Sequence, residues 1–135
     1  MALYMLDTNI LSDAIKNPLG SCAQRMASEP AECLCTSIVV SAELRFGAEK
    51  KGSVELSRRV EQLLNAIDVI AFGPGADICY AKVRCILQQR GTLIGANDML
   101  IAAHAIALDA VLVTDNTAEF ARVDDLQIQN WLLRT

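Results

Sequence analysis

The residues of this 135-residue chain best suited to chemistry are acids set hard against apolar runs. Asp7 is preceded by Leu3, Met5 and Leu6, and Asp98 is followed by Met99, Leu100, Ile101, Ala102 and Ala103. Acids so flanked belong at the edge of a core. Glu43 lies among Ala42, Leu44 and Phe46, and if it faces inward it needs a compensating partner. Asp115 and Asn116 follow the apolar run Ala110 to Thr114. Taken alone, Asp98 reads better as an acid favoured by a helix N-terminus. Several carboxylates gathered at one place repel one another, which raises the pKa of some and destabilises the metal-free fold. A divalent cation removes that conflict. Oxygen ligands from Asp, Glu, Asn and water suit Mg2+, with Mn2+ as a substitute, rather than zinc.

What is absent narrows the reaction. There is one histidine, no G-x-S-x-G and no Gly-rich phosphate loop with a lysine. Gly73-Pro74-Gly75 lacks dinucleotide-binding spacing and reads as a turn. His104 stands six residues beyond Asp98. At about 100° per residue it points about 120° away, so a structural histidine is expected rather than a general base. With no protein base in view, a metal ion would acidify the attacking water and stabilise the oxygens of a phosphodiester during in-line displacement.

The elements that must position these acids alternate. Leu3 to Leu6 reads as a buried strand ending at Asp7, and Thr8 and Asn9 cap a helix carrying Ile10, Leu11, Ala14 and Ile15. Asn17-Pro18-Leu19-Gly20 breaks that helix before another from about Ser21 to Ser28. Cys33 to Ser37 is strand-like, and the helix that follows is expected to stop near Gly47. Helices over Ser53 to Ala66 and Ala76 to Arg90 flank a short strand at Val69-Ile70. Asn97 or Asp98 opens an Ala-rich helix to Leu108, Ala110 to Thr114 is a strand, and an edge strand falls between Asp124 and Trp131. Strands alternating with helices and apolar on both faces predict an α/β fold, a central and mainly parallel sheet flanked by helices, in one domain over residues 1–135.

Composition sets bounds. The chain is 53% hydrophobic, so it is no disordered tail, and its net charge of −4 argues at first sight against a nucleic-acid partner. The cations are uneven: Arg45, Lys50, Lys51, Arg58 and Arg59 cluster mid-chain and Lys82, Arg84 and Arg90 follow, together the best candidates for a phosphate-contacting rim. Five cysteines lack disulfide or zinc spacing and fit a reducing compartment. With no signal peptide or membrane span, a cytoplasmic protein is expected.

These residues carry a family pattern. Met5-Leu6-Asp7-Thr8-Asn9-Ile10 resembles the opening of PIN-domain nucleases, and Ser41-Ala42-Glu43-Leu44-Arg45-Phe46-Gly47-Ala48 resembles their second acidic motif. The run from Ile94 to Ala105 is similar to the third motif, and Leu112-Val113-Thr114-Asp115-Asn116-Thr117-Ala118-Glu119-Phe120 to the fourth. All four stand in the family's order, and the size and details look most like VapC-type toxins of VapBC type II toxin–antitoxin systems. The resemblance implies a three-layer PIN-like fold and a Mg2+-dependent endoribonuclease, with tRNA or rRNA as substrate. It further implies a VapB-type antitoxin, whose helix would fit an apolar groove and whose arginine would enter among the carboxylates, and a homodimer. It makes Asp7 and Asp98 the principal metal ligands and Glu43 the third acid. At the fourth position it aligns Asn116, with Asp115 and Glu119 as neighbours, where many members have an acid. Thr8, Asn9 and Thr114 match positions that orient the acids or ligand waters. The competing readings are an RNA-processing PIN nuclease without an antitoxin, a phosphatase with Asp7 as nucleophile but without the second Asp of a D-x-D loop, and a non-catalytic binding module.

Overall fold

The structure, a computed structural model, describes residues 2–134; Met1 and Thr135, the ends of the expected domain, lie outside the described residues. The first strand, β1 (Tyr4–Leu6), buries Met5 and Leu6 completely and ends at Asp7. The Asp7 carboxylate accepts the Thr8 amide and so starts α1 (Thr8–Lys16), which buries Ile10 and Leu11. After the Asn17-Pro18 break come α2 (Ser21–Ser28) and a 3-10 turn at Ala31–Cys33. All four residues of β2 (Leu34–Ser37) are buried, and the Ser37 hydroxyl accepts the Val39 amide at the start of α3 (Ile38–Lys51). Next are α4 (Val54–Ala66), capped by Ser53, and β3 (Asp68–Ile70). The chain then builds α5 (Ala76–Arg90), α6 (Ala96–Ala107), β4 (Val111–Val113), α7 (Thr117–Phe120) and β5 (Ile128–Gln129).

The strands form one sheet in the order β3-β2-β1-β4-β5, and every adjacent pair is parallel. The inner strands are nearly all buried, as expected when helices cover both faces. The chain leaves β1 towards β2 and β3, then crosses back to lay β4 on the other side of β1. That reversal opens a crevice at the carboxyl ends of β1 and β4, where Asp7 and Thr114 stand. Tyr4 of β1 meets Trp131 edge-on at 5.1 Å between ring centroids, which ties the C-terminal segment to the sheet.

Three details differ from expectation. The third helix does not stop near Gly47 but runs to Lys51, where Gly52 takes the left-handed conformation (φ 64°) that ends it. Ala48 is buried on its inner face, and Lys50 and Lys51 favour its C-terminal end. Neither Asn97 nor Asp98 caps α6; the helix begins one residue earlier, after Gly95, leaving both side chains free to act elsewhere. The short helix α7 had no apolar period to announce it. Among the described residues all five cysteines are free, and no helix is long and apolar enough to cross a membrane.

Candidate active site

Asp7 anchors the site. Its backbone amide still donates to Val113 in the sheet at 2.9 Å, so its position is fixed by β1 and β4 together. The side chain is only 4% exposed. One carboxylate oxygen accepts from the Thr8 amide at 2.8 Å, and the other accepts from the Thr114 hydroxyl at 2.7 Å. Burial raises its pKa, these two donors work against that, and the charges of Glu43 and Glu119 raise it further. The fully buried Thr114 hydroxyl also accepts from the Asn116 amide at 3.0 Å. Asn9 closes the cradle, with Nδ2 3.5 Å from Thr114 Oγ1 and Oδ1 accepting the Asp115 amide at 3.0 Å. Thr8 and Thr114 thus bond Asp7 directly, and Asn9 bonds the residues beside it.

Glu43 projects from α3 into the same crevice. Thr8 Oγ1 donates to its Oε1 at 2.5 Å, and Asn97 Nδ2 approaches Oε2 at 3.4 Å. Asp98 lies in the first turn of α6. Burial, a hydrogen bond with Glu119, and the charges of Glu119, Asp7 and Glu43 push its pKa up to about 7. Glu119 moves the opposite way: the Gly95 amide, donating at 2.8 Å, is the largest cause, and the Asn116 side-chain amide and Asp98 also hold it ionised. The proton of this pair therefore sits on Asp98. Gly95 takes part through its backbone amide, and its Cα lies close to both carboxylates: a Cβ there would be in ordinary contact with Asp98 Oδ2 at 3.4 Å and Glu119 Oε1 at 3.7 Å.

The resemblance leaves the fourth position open between three residues, and the fold places these three differently. Glu119 is the carboxylate that joins Asp7, Glu43 and Asp98. Asn116 supports it, its side chain spent on Glu119 and its amide on Thr114. Asp115 is turned away from the group: Arg134 grips both of its oxygens at 2.7 and 2.6 Å, and Asn130 donates to it at 3.1 Å. Those bonds hold its carboxyl below the usual range. Asp115 contributes its backbone to the cradle and its side chain to the C-terminal segment. Sequence reading missed Gly95 and Asn97 as contacts of the acids; both lie in the quoted third motif, but only the fold shows what they touch.

His104 is 1% exposed, 2.8 Å from Ser37 Oγ through Nδ1 and edge-on to Phe72, with its pKa lowered by burial. It is the structural histidine that its angle along the helix predicts. The expected basic rim is partly spent on ion pairs: Arg45 with Glu61 at 2.6 Å, and Arg58 and Arg59 both with Glu55. Lys16 and Lys51 line, together with Thr8, Glu43, Leu44, Leu56 and Val60, a groove of about 200 Å3.

Four carboxylates from four elements, with oxygen donors throughout, suit a hard divalent cation. As the side chains stand, no three His, Cys, Asp or Glu among the described residues are arranged to hold a metal ion. Each is instead engaged by a neighbouring donor or, for Asp98 and Glu119, by a shared proton. In chemistry the donor set still fits such an ion, since carboxylate oxygens are its preferred ligands and a cation would offset their mutual repulsion.

A family model described as PIN domain matches residues 4–126. The chain is 37% identical over 131 residues to Ribonuclease VapC2 of Rickettsia felis, covering 96% of this chain and 98% of that protein. It is 36% identical over 132 residues to the tRNA(fMet)-specific endonuclease VapC of Shigella flexneri, covering 97% and 99%. Its fold matches that in the crystal structure of VapBC2 from Rickettsia felis bound to a promoter DNA fragment, with a TM-score of 0.87 at 36% identity, covering 96% and 98%.

Proposed function

This chain belongs to the PIN-domain family and, within it, to the VapC ribonucleases, and from that membership we propose a Mg2+-dependent endoribonuclease that acts as the toxin of a type II toxin–antitoxin pair. The observation that carries the reading is the gathering of Asp7, Glu43, Asp98 and Glu119 at the switch of strand order, with Asp98 keeping a proton up to about pH 7. Carboxylates so placed repel one another unless a proton or a cation stands between them. Asp7, Glu43 and Asp98 are the metal ligands, Glu119 fills the fourth position, and Asn116 orients it.

A bound divalent ion supplies positive charge that offsets the carboxylates and the oxygens of a phosphodiester undergoing in-line displacement. The protein's part is positioning. Thr8 and Thr114 hold the Asp7 carboxylate by two hydrogen bonds that favour its charged form. The Thr8 hydroxyl aims Glu43, and the Gly95 amide keeps Glu119 ionised. Asp98 must release its proton for all four acids to serve as ligands. A covalent role for Asp7 gains no support, since both its oxygens are taken by donors.

The substrate class is tRNA, which the name of the Shigella relative supports; rRNA is the alternative. The partner is a VapB-type antitoxin, in keeping with the VapBC complex that the fold matches. The groove beside Glu43 suits its apolar helix, with an arginine able to reach the carboxylates. The chain is a single PIN domain, works in the cytoplasm and forms a homodimer.

The test is cleavage of purified tRNA and rRNA with Mg2+, Mn2+ or EDTA, with fragment ends sequenced. Asp7→Asn and Asp98→Asn should each lose at least about 100-fold in rate while keeping their circular dichroism. Full activity of either variant, or of wild type in EDTA, overturns the metal site. Failure of a co-expressed upstream antitoxin to bind and inhibit the nuclease favours the RNA-processing reading.

A further inference from the structure

We propose that His104 is a positioning residue for the acid site: its bond to Ser37 holds α3 and α6 at the spacing that brings Glu43 up to Asp98. The inference rests on the metal-site reading above and extends it to a residue outside the group. Ser37 ends β2, and its Oγ accepts the Val39 amide at 3.1 Å as the cap of α3. His104 Nδ1 lies 2.8 Å from that same Oγ, with both residues at most 1% exposed. The Ala71 backbone lies near the imidazole as well and works against the lowering of its pKa by burial. The Ser37 hydroxyl thus joins the first turn of α3 to His104 of α6. The edge of Phe72, at 5.4 Å between ring centroids, steadies the ring.

The spacing of this link is what ties it to the site. Ser37 lies six residues before Glu43 on α3, and His104 lies six residues after Asp98 on α6. The two helices therefore pair antiparallel, linked at two points about 9 Å apart along their axes. At the acid end the link is Asn97 to Glu43, long at 3.4 Å and exposed. At the other end it is the short, buried bond between Ser37 and His104. Buried hydrogen bonds in a low-dielectric setting are the stronger and more exacting of the two. Without it, the polar links between α3 and α6 near the acids reduce to the weak contact, and apolar packing alone, which is not directional, sets the rest of their spacing.

Two conservative variants separate positioning from mere packing. His104→Asn places an amide where Nδ1 stood and can still reach Ser37; His104→Gln places its amide where Nε2 stood, away from Ser37. In His104→Gln, the Mg2+ concentration giving half of the metal-induced rise in melting temperature should increase about tenfold, as when a group that orients a ligand is lost. Its kcat for RNA should fall by a similar factor, with KM for RNA unchanged, while His104→Asn stays near wild type on both. Ser37→Gly breaks the link from the other side with a small loss of capping, so it should behave like His104→Gln and serves if that variant does not fold. Equal Mg2+ midpoints in the Asn and Gln variants, or a wild-type midpoint in Ser37→Gly, overturn the inference while the metal site stands. A wild type with no Mg2+ response overturns the metal site and this inference together.

Discussion

Asp98 is an acid of the site whose chemistry differs sharply between the unfolded chain and the fold. Its ordinary pKa of 3.8 becomes about 7, first through burial and then through Glu119 and the other acids. The folded state therefore holds a proton that the unfolded chain has released, and stability must fall as pH rises through that window. Asp7, also raised, acts in the same direction. Glu119 is lowered, so its contribution is present above its ordinary value and is lost as pH falls below it. In EDTA, urea midpoints should decline between about pH 5 and pH 7 and level off above, and Asp98→Asn should flatten the decline. An unchanged slope in that variant would show that the proton sits elsewhere. Thr114→Val should lower the rate and destabilise the protein by about 1–3 kcal/mol, because the buried Asp7 loses a donor and the Asn116 amide its acceptor. Thr114→Ser should retain most of both. Asp7, Glu43 and Asp98 were readable from their apolar flanks and motif positions. The choice of Glu119 over Asp115 was not, because Arg134 and Asn130, which draw Asp115 away, lie 15 residues or more further along the chain.

Among the elements, glycine placement gives the sharpest contrasts. Gly47 sits inside α3, where a Cβ would meet nothing within 4 Å, so Gly47→Ala should stabilise the protein by about 0.5–1 kcal/mol. Gly91 ends α5 at φ 68°, where an L side chain is strained, so Gly91→Ala should destabilise it by about 1 kcal/mol despite equal room. Opposite shifts in urea midpoint would confirm the pair; shifts of the same sign would refute it. The same two positions show how far local signals reach. The sequence ends its helix at Arg90, and Gly91 caps it there. Gly47 was expected to end its helix and does not, because Ala48 of the next turn is buried and Gly52 supplies the left-handed residue instead. Short strands such as β3 and β5 were found from a few apolar residues between turn signals. The one-turn α7, which carries Glu119, offers no period to detect.

For the molecule as a whole, the charge balance now has a location. Asp7, Glu43, Asp98 and Glu119 match in number the entire net charge of −4, so the apparent bar to an RNA partner is concentrated in one crevice. A cation bound there favours the folded state alone. Saturating Mg2+ should raise the melting temperature by roughly 5–10 °C, since a ligand at a hundred times its dissociation constant adds about 2.7 kcal/mol to a domain of this size. Asp98→Asn should show a smaller rise, and an equal rise would place the ion elsewhere. The sequence by itself determined the α/β alternation and the parallel sheet, and it singled out three of the four acids that the fold brings together, because apolar periodicity and acids set beside apolar runs are local properties of the chain. Only the tertiary structure shows that Glu119 faces the other acids while Asp115 is held by Arg134, that Asn97 and Gly95 bond to the acids, and that His104 bonds Ser37 at the start of α3. Those outcomes depend on the strand order β3-β2-β1-β4-β5, which brings together residues tens of positions apart, and no local pattern encodes which of them will meet.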